Sequence, residues 1–581
     1  MFDATTAALL RSAPAMPGLN PASIPALLTA QYANLAAARL RGSDEGLEDL
    51  VQAWSLERLA DTYEILTSLT SDAEIRRPAA FVAGTAQLIL ARRQTSATEH
   101  KPPNIDRDRV DPSLAAAILF LSAEQYADAN EAALSIQTNV EGQSYEADIL
   151  SEDIADLARG RLNEILARSA RWRRPIRYAD LDERALAALV EALISGVELL
   201  AASLLHETPP PLVAGRFDSA RHAFETVMNL SASTGESYLP GIEGAILAYA
   251  GPHHLASLLL SASDGLALAS LFAVPPPIGA NTQSWNTWLR SRAKIAPFVW
   301  PNHREAIAKG FYQTGVSSVV VLPTGAGKTT VSSLKIGGVL ARGKKVVFLA
   351  PTHALVDQLT VDLQEMFPAD VMGSVVSSDF DLLMLVNAQL RDIEVMTPER
   401  CLAMLSFAPE AFQDVGLLVF DECHLLSPEI GRIRRALDAM LCVLGFNHVA
   451  PDADMLFLSA MLKNVDDMSD WVAALTGRPC VAVDLPWKPS RQARGVIIYD
   501  NGELERARQA AIESQRKEDT RVGTRSASLR QVAKRELSAV PYAIWGLQHN
   551  WLSGNSAACI TNPISDTRVM LAGSLWETAS G

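Results

Sequence analysis

The stretch Ser317 to Thr330, Ser-Ser-Val-Val-Val-Leu-Pro-Thr-Gly-Ala-Gly-Lys-Thr-Thr, constrains the fold more than any other part of the chain. Val319 to Leu322 form a short apolar run rich in β-branched residues, and Pro323 to Gly327 form a loop without bulk. From Lys328 onward Val331, Leu334, Ile336, Val339 and Leu340 fall at helical spacing, so the order is strand, glycine loop, helix. Such a turn is a phosphate cradle, because Gly325 and Gly327 can take backbone angles closed to other residues while the helix points its positive end at the same place. Thr324, Gly325, Ala326, Gly327, Lys328, Thr329 and Thr330 are the predicted nucleotide-binding residues, with Lys328 reaching the β- and γ-phosphates of ATP and the Thr329 hydroxyl ligating Mg²⁺. The strict G-x-x-x-x-G-K-[ST] pattern has glycine where this chain has Leu322.

A chain of 581 residues exceeds one compact core and suggests roughly three or four domains. Its composition, 48% hydrophobic and 20% charged, is that of a globular protein. The five cysteines (Cys401, Cys423, Cys442, Cys480, Cys559) are widely spaced and show no C-x-x-C, which argues against a disulfide framework or a structural zinc and for a cytoplasmic location. No secretory signal is expected, and the apolar segment Ala185 to Leu205 carries Glu191 and Glu198, so it reads as a buried helix and not a membrane span. The formal charge of −15 is unevenly placed. Residues 1–280 hold 21 Lys and Arg against 35 Asp and Glu, residues 281–350 ten against one, and Lys488 to Arg535 twelve against six. The two basic blocks are candidate phosphate-binding surfaces.

Residues 1–280 are predicted to form an all-helical region of one or two domains, with helices over Ala115 to Ile136, Asp153 to Ser169, Leu181 to Leu205 and Ile242 to Leu260. Within it, Arg171-Trp172-Arg173-Arg174 interleaves an aromatic with cations and is either a base-stacking site or an exposed helix end. Pro275-Pro276-Pro277 reads as a linker. Over residues 281–486 short apolar strands alternate with helical patterns, which predicts an α/β domain with a mostly parallel sheet and helices on both faces. Residues 487–535 read as a basic insertion or linker; Ala533 to Trp551 reads as a helix and Ala557 to Thr561 as a strand.

A second anchor follows the cradle lysine by about ninety residues: Leu417-Leu418-Val419-Phe420-Asp421-Glu422-Cys423-His424. An apolar strand delivers two acids at its end. Asp421 is placed to hold Mg²⁺ and Glu422 to deprotonate the water that attacks the γ-phosphate, so Lys328, Asp421 and Glu422 are the predicted catalytic residues.

With both anchors in place, residues from about Phe298 to Ser490 resemble the superfamily 2 helicases of the DEAD/DEAH-box, or DExH, type, here as Asp-Glu-Cys-His, whose first domain is a RecA-like P-loop fold. Further motifs occur in the family order. Pro351-Thr352-His353-Ala354 resembles motif Ia and Met396-Thr397-Pro398-Glu399-Arg400 resembles motif Ib, which implies strand-backbone contacts by Thr352, Thr397 and Arg400. Ser459-Ala460-Met461 resembles motif III, which implies coupling through a Ser459 to His424 hydrogen bond, with Met461 offering no further hydroxyl. Pro301-Asn302-His303-Arg304 resembles the adenine-reading Q motif with His303 where glutamine is expected, and an imidazole cannot present donor and acceptor side by side as an amide does.

The resemblance implies an ATP-dependent helicase or translocase on nucleic acid, DNA favoured over RNA, that closes two RecA-like lobes around ATP. Residues 536–581 resemble the start of that second lobe, and the rest of it, with its arginine finger, is expected to be missing from this sequence. A long helical region before such a lobe is similar to bacterial phage-defence helicases. The rival expectation is an ATP-gated scaffold whose helical region recruits a protein partner without unwinding.

Overall fold

The computed structural model describes residues 4–41, 54–97, 103–138, 144–173, 181–211, 213, 215–233, 246–377, 389–426, 433–487, 495–499, 501–525, 530–538, 542–546 and 559–562. The first half is built from α1 (Ala4–Arg11), α2 (Ile24–Arg41), α3 (Leu56–Leu69), α4 (Ala73–Ala97), α5 (Pro112–Ser122), α6 (Tyr126–Ala133), α7 (Tyr145–Ala158), α8 (Leu162–Trp172), α9 (Leu181–Leu205), α10 (Ala220–Ser231) and α11 (Ala250–Ala269). At its centre lies α5. The Asp111 side chain caps it by accepting from the Ser113 N–H, Pro112 presets its first turn, and the run Leu-Ala-Ala-Ala-Ile-Leu-Phe-Leu is apolar on every side. Such a helix is buried all round, and α4, α6, α7 and α11 surround it. Asp182–Leu205 is long and apolar enough to cross a membrane by length and composition, yet it packs inside the region against α7, α8, α10 and α11.

Several predicted helices divide differently. Ala115 to Ile136 breaks at Ala123–Gln125 into α5 and α6, and Asp153 to Ser169 breaks at Gly160, whose positive φ closes α7. The last predicted helix of the region begins later, at Ala250.

The second half holds a seven-stranded sheet of β1 (Ser317–Val321), β2 (Lys345–Leu349), β3 (Val375–Ser377), β4 (Ile393–Met396), β5 (Val415–Phe420), β6 (Asp454–Ser459) and β7 (Cys480–Asp484). The spatial order is β3-β4-β2-β5-β6-β1-β7, and every neighbouring pair is parallel. Alternate residues face opposite ways. Val320, Val346, Phe348, Leu417, Val419, Leu456 and Leu458 join a core that continues without a break into the helical region. Val319, Val321, Val347, Leu349, Leu418, Phe420, Met455 and Phe457 form the other core, under α16 (Pro398–Phe407), α17 (Ile433–Val449) and α18 (Val465–Thr476). Burial on both faces is why these strands read as continuous apolar runs.

Helices α12 (Thr282–Ala293), α13 (Pro301–Ala308), α14 (Lys328–Leu340) and α15 (His353–Met366) complete the lobe. The proline segment does not act as a free linker. Tyr312 donates to the Pro275 carbonyl at 3.0 Å, Asn281 N–H donates to Ala341 O at 2.9 Å, and Pro277 lies against Gly338 of α14.

Asn501–Val522 (α19) and Gln531–Ser538 (α20) form a helical pair with internal ion pairs such as Arg530–Asp519 at 2.9 Å. Ala533 to Trp551 is not one helix, because Tyr542–Gly546 (β9) is a strand between Gly495–Tyr499 (β8) and Cys559–Asn562 (β10). That small sheet is antiparallel, so the described residues beyond 536 contain no parallel strand pair of a second RecA-like lobe.

Candidate nucleotide-hydrolysing site

The two sequence anchors meet at the carboxyl edge of the sheet. β1 delivers the glycine loop and β5 the acids, with β6 between them. Gly325 and Gly327 both have φ of 83°, the left-handed region that glycine alone enters freely. Gly327 is the N-cap of α14 and has no side chain to cap it, so the first amides of α14 keep their hydrogen-bonding capacity for an anion. Thr324 and the peptide groups of Gly325, Ala326 and Gly327 form the rim, and Thr329 and Thr330 lie in the first turn.

The Lys328 ammonium lies 2.8 Å from Glu422 Oε1 and 4.0 Å from Asp421 Oδ1. Glu422 occupies the left-handed region at φ 54°, a strained setting for a residue with a β-carbon. Its N–H donates to Asp421 Oδ1 at 2.9 Å, and the Asp421 N–H donates to Leu349 O of β2 at 3.0 Å. Burial pushes the Asp421 carboxyl up, against the opposing pull of Lys328. Burial likewise pushes the Cys423 thiol up to about 12, so it stays protonated within the second core.

His424 connects the acids to β6. Its Nδ1 is 3.1 Å from Glu422 Oε2 and 3.3 Å from Ser459 Oγ, the contact expected from the sequence. Ser459 also accepts from the Met461 N–H at 3.1 Å, while the Met461 side chain is 71% exposed and joins no network. Because β6 lies between the lysine strand and the acid strand, a serine at its end can touch both: the Leu322 N–H donates to Ser459 O at 3.1 Å.

His303 is placed otherwise than the Q-motif resemblance implies. Its ring is 2% exposed, lies under the loop, stacks on Trp300 at 5.2 Å and donates from Nε2 to Ala326 O at 3.1 Å. A carbonyl only accepts, so the proton is on Nε2 and the buried Nδ1 is left without a partner. Burial pulls the imidazole down to about 4. It props the loop and presents no edge to a base. Asn302, which the sequence did not single out, donates to the same Ala326 carbonyl at 3.0 Å.

Thr397 directly follows Met396 of β4, and Thr352 lies three residues beyond Leu349 of β2, the residue opposite Met396. Each is a helix N-cap, accepting from Leu355 N–H and Arg400 N–H respectively at 3.4 Å. Thr397 is buried, Thr352 and Arg400 are half-buried, and all three lie at the same sheet edge as Lys328. The Arg171–Arg174 cluster gives no stacking platform: Trp172 is buried and donates to Glu198 Oε1 at 2.9 Å, and Arg173 pairs with Glu198 at 2.6 Å. Arg174 lies outside the described residues.

Lys335 was also missed. It is buried on α14, donates to the carbonyls of Phe311 at 3.0 Å and Gln313 at 3.2 Å, and lies 3.9 Å from Asp454. Nothing in the sequence separates it from a surface lysine except its place among the apolar residues of α14.

Together these features define a parallel-sheet P-loop lobe with a paired acid motif. Residues 300–468 match the DEAD/DEAH box helicase family, and that stretch is a DEAD/DEAH box helicase domain of the superfamily 2 type. Among curated relatives, the ATP-dependent DNA helicase Hel308 of Thermococcus kodakarensis is 27% identical over 213 residues, covering 36% of this chain and 18% of that protein. The probable helicase HelY of Mycobacterium tuberculosis (strain H37Rv) is 30% identical over 172 residues, covering 30% of this chain and 18% of that one. The chain thus spans less than a fifth of the length of either relative. The DUF1998 helicase MrfA bound to DNA is 21% identical over 36% of this chain and 30% of its own, with a TM-score of 0.27.

Proposed function

We propose that the chain hydrolyses ATP and uses the energy to move on nucleic acid, DNA in preference to RNA. The observation that carries this reading is the Lys328–Glu422 pair at 2.8 Å, beside Asp421 and beneath uncapped α14 amides. The donor set fits the ligands: glycine-lined amides and an ammonium suit a triphosphate, and the Thr329 hydroxyl and Asp421 carboxylate are the hard oxygens that Mg²⁺ takes. When bound, Mg²⁺ neutralises charge on the β- and γ-phosphates.

The residues divide the work. The loop amides and Lys328 bind phosphate, and Lys328 must exchange its Glu422 contact for a phosphate oxygen. That exchange frees the Glu422 carboxylate to orient a water and accept its proton. His424, held between Glu422 and Ser459, reports the state of the acid to β6. Thr352, Thr397 and Arg400 line the same edge and take strand phosphates without reading bases. The similarity to Hel308, an ATP-dependent DNA helicase, supports DNA as the strand. A cytoplasmic location belongs to the same proposal.

Steady-state ATP hydrolysis, measured with and without single- and double-stranded DNA and RNA, tests it. Stimulation by DNA that Lys328→Ala abolishes is the expected result. Nucleotide binding that no strand affects would favour the ATP-gated scaffold with a protein partner on the helical region.

A further inference from the structure

We propose that Glu124 and Arg304 are positioning residues for nucleotide binding, through which the helical region holds the phosphate loop in its binding shape. The proposal rests on the nucleotide-binding reading of that loop. It begins with an unusual helix end. α5 closes with Gln125 N–H donating to Phe120 O at 2.9 Å and Glu124 N–H donating to Leu121 O at 3.0 Å, a turn whose left-handed position is normally glycine. Here it is Glu124, at φ 59°. A β-carbon is strained there, so the side chain is present for what its carboxylate does.

That carboxylate is 4% exposed and joins two guanidiniums from different parts of the chain. Oε1 pairs with Arg77 of α4 at 2.9 Å, and Oε2 pairs with Arg304 of α13. Two residues on, Tyr126 stacks on Phe298 at 5.1 Å, just before α13. The α5–α6 turn therefore grips the approach to α13 and α13 itself.

The consequence reaches the loop through the residues beside Arg304. Asn302 and His303 both donate to Ala326 O, at 3.0 and 3.1 Å. In a planar trans peptide the carbonyl and the next N–H point opposite ways. Fixing the Ala326 carbonyl toward α13 thus turns the Gly327 N–H toward the mouth of the loop, where a phosphate is received. Contact is close: a β-carbon on Gly327 would come within 2.4 Å of His303 Nε2. If α13 shifts, the carbonyl loses its two donors and the amide its direction.

The test is equilibrium binding of a ribose-labelled fluorescent ADP to the full chain, below the melting temperature of every variant. Arg304→Met and Glu124→Gln are expected to raise Kd about fivefold or more, the usual range of coupling between sites. Arg77→Met removes a partner of the same carboxylate without touching α13; it is expected to lower Tm comparably yet change Kd by less than about twofold. Asn302→Ala combined with Arg304→Met is expected to weaken binding less than the two effects multiplied, since both act on one carbonyl. Wild-type affinity in Arg304→Met while Lys328→Ala abolishes binding would overturn the proposal, as would equal weakening by Arg77→Met and Arg304→Met. A wild-type chain that binds no better than Lys328→Ala would overturn the nucleotide-binding reading itself, and the proposal with it.

Discussion

His303 shows how a single side chain can be identified by motif and still be assigned the wrong partner. Its position in Pro-Asn-His-Arg places it near the nucleotide, and the structure keeps it there, but facing the loop backbone. Burial holds the imidazole neutral down to about pH 4, whereas in the unfolded chain it titrates near 6.5. Below pH 6.5 the unfolded chain therefore takes up a proton that the folded one refuses. The stability this group allows is complete above 6.5 and is lost as pH falls toward 4. Relative to His303→Gln, the wild type is predicted to lose about 2 kcal/mol more between pH 7 and pH 5, read from urea unfolding midpoints at the two pH values. Lys328, Asp421, Glu422 and Ser459 were legible because each follows an apolar strand with a distinctive polar turn. Asn302, Lys335 and Glu124 were not, because their meaning lies in partners 24, 22 and 180 residues away in sequence.

At the scale of elements, α14 links the glycine loop to the rest of the molecule by close packing. A β-carbon at Gly338 would lie 2.5 Å from Pro277 Cγ, and one at Gly337 2.9 Å from Trp288. Gly→Ala inside a helix ordinarily gains about 1 kcal/mol. Gly338→Ala is predicted to do the opposite, costing about 1–3 kcal/mol through overpacking, as a lowered urea midpoint would show. The strands of the lobe were readable from apolar runs, except β3 and β7: β3 is three residues long, and only one residue of β7, Val483, is buried. α19 escaped because its apolar residues, Leu504, Ala507, Ala510, Ala511 and Ile512, are few and mostly small among charged ones, so the apolar period is weak; it packs against α20. The turn between α5 and α6 escaped because glutamate occupies its glycine position.

Across the whole molecule, one apolar core runs from Leu10 to Leu485, joining the acidic helical region to one face of the sheet. Sequence composition divides the chain where packing unites it, at Pro275–Pro277, because proline marks a turn in sequence whether or not the turn is packed. The same core places the helical region behind α13, and the proposed ATP and strand contacts fall at the carboxyl edge of the sheet. If the loop and the acids form one hydrolytic site with divided roles, single-turnover phosphate release from ATP in Glu422→Gln shows it. Release is predicted to be about 10²–10⁴-fold slower than wild type at saturating ATP, with nucleotide still bound, because only the water-activating carboxylate is gone. Release at the wild-type rate would contradict it.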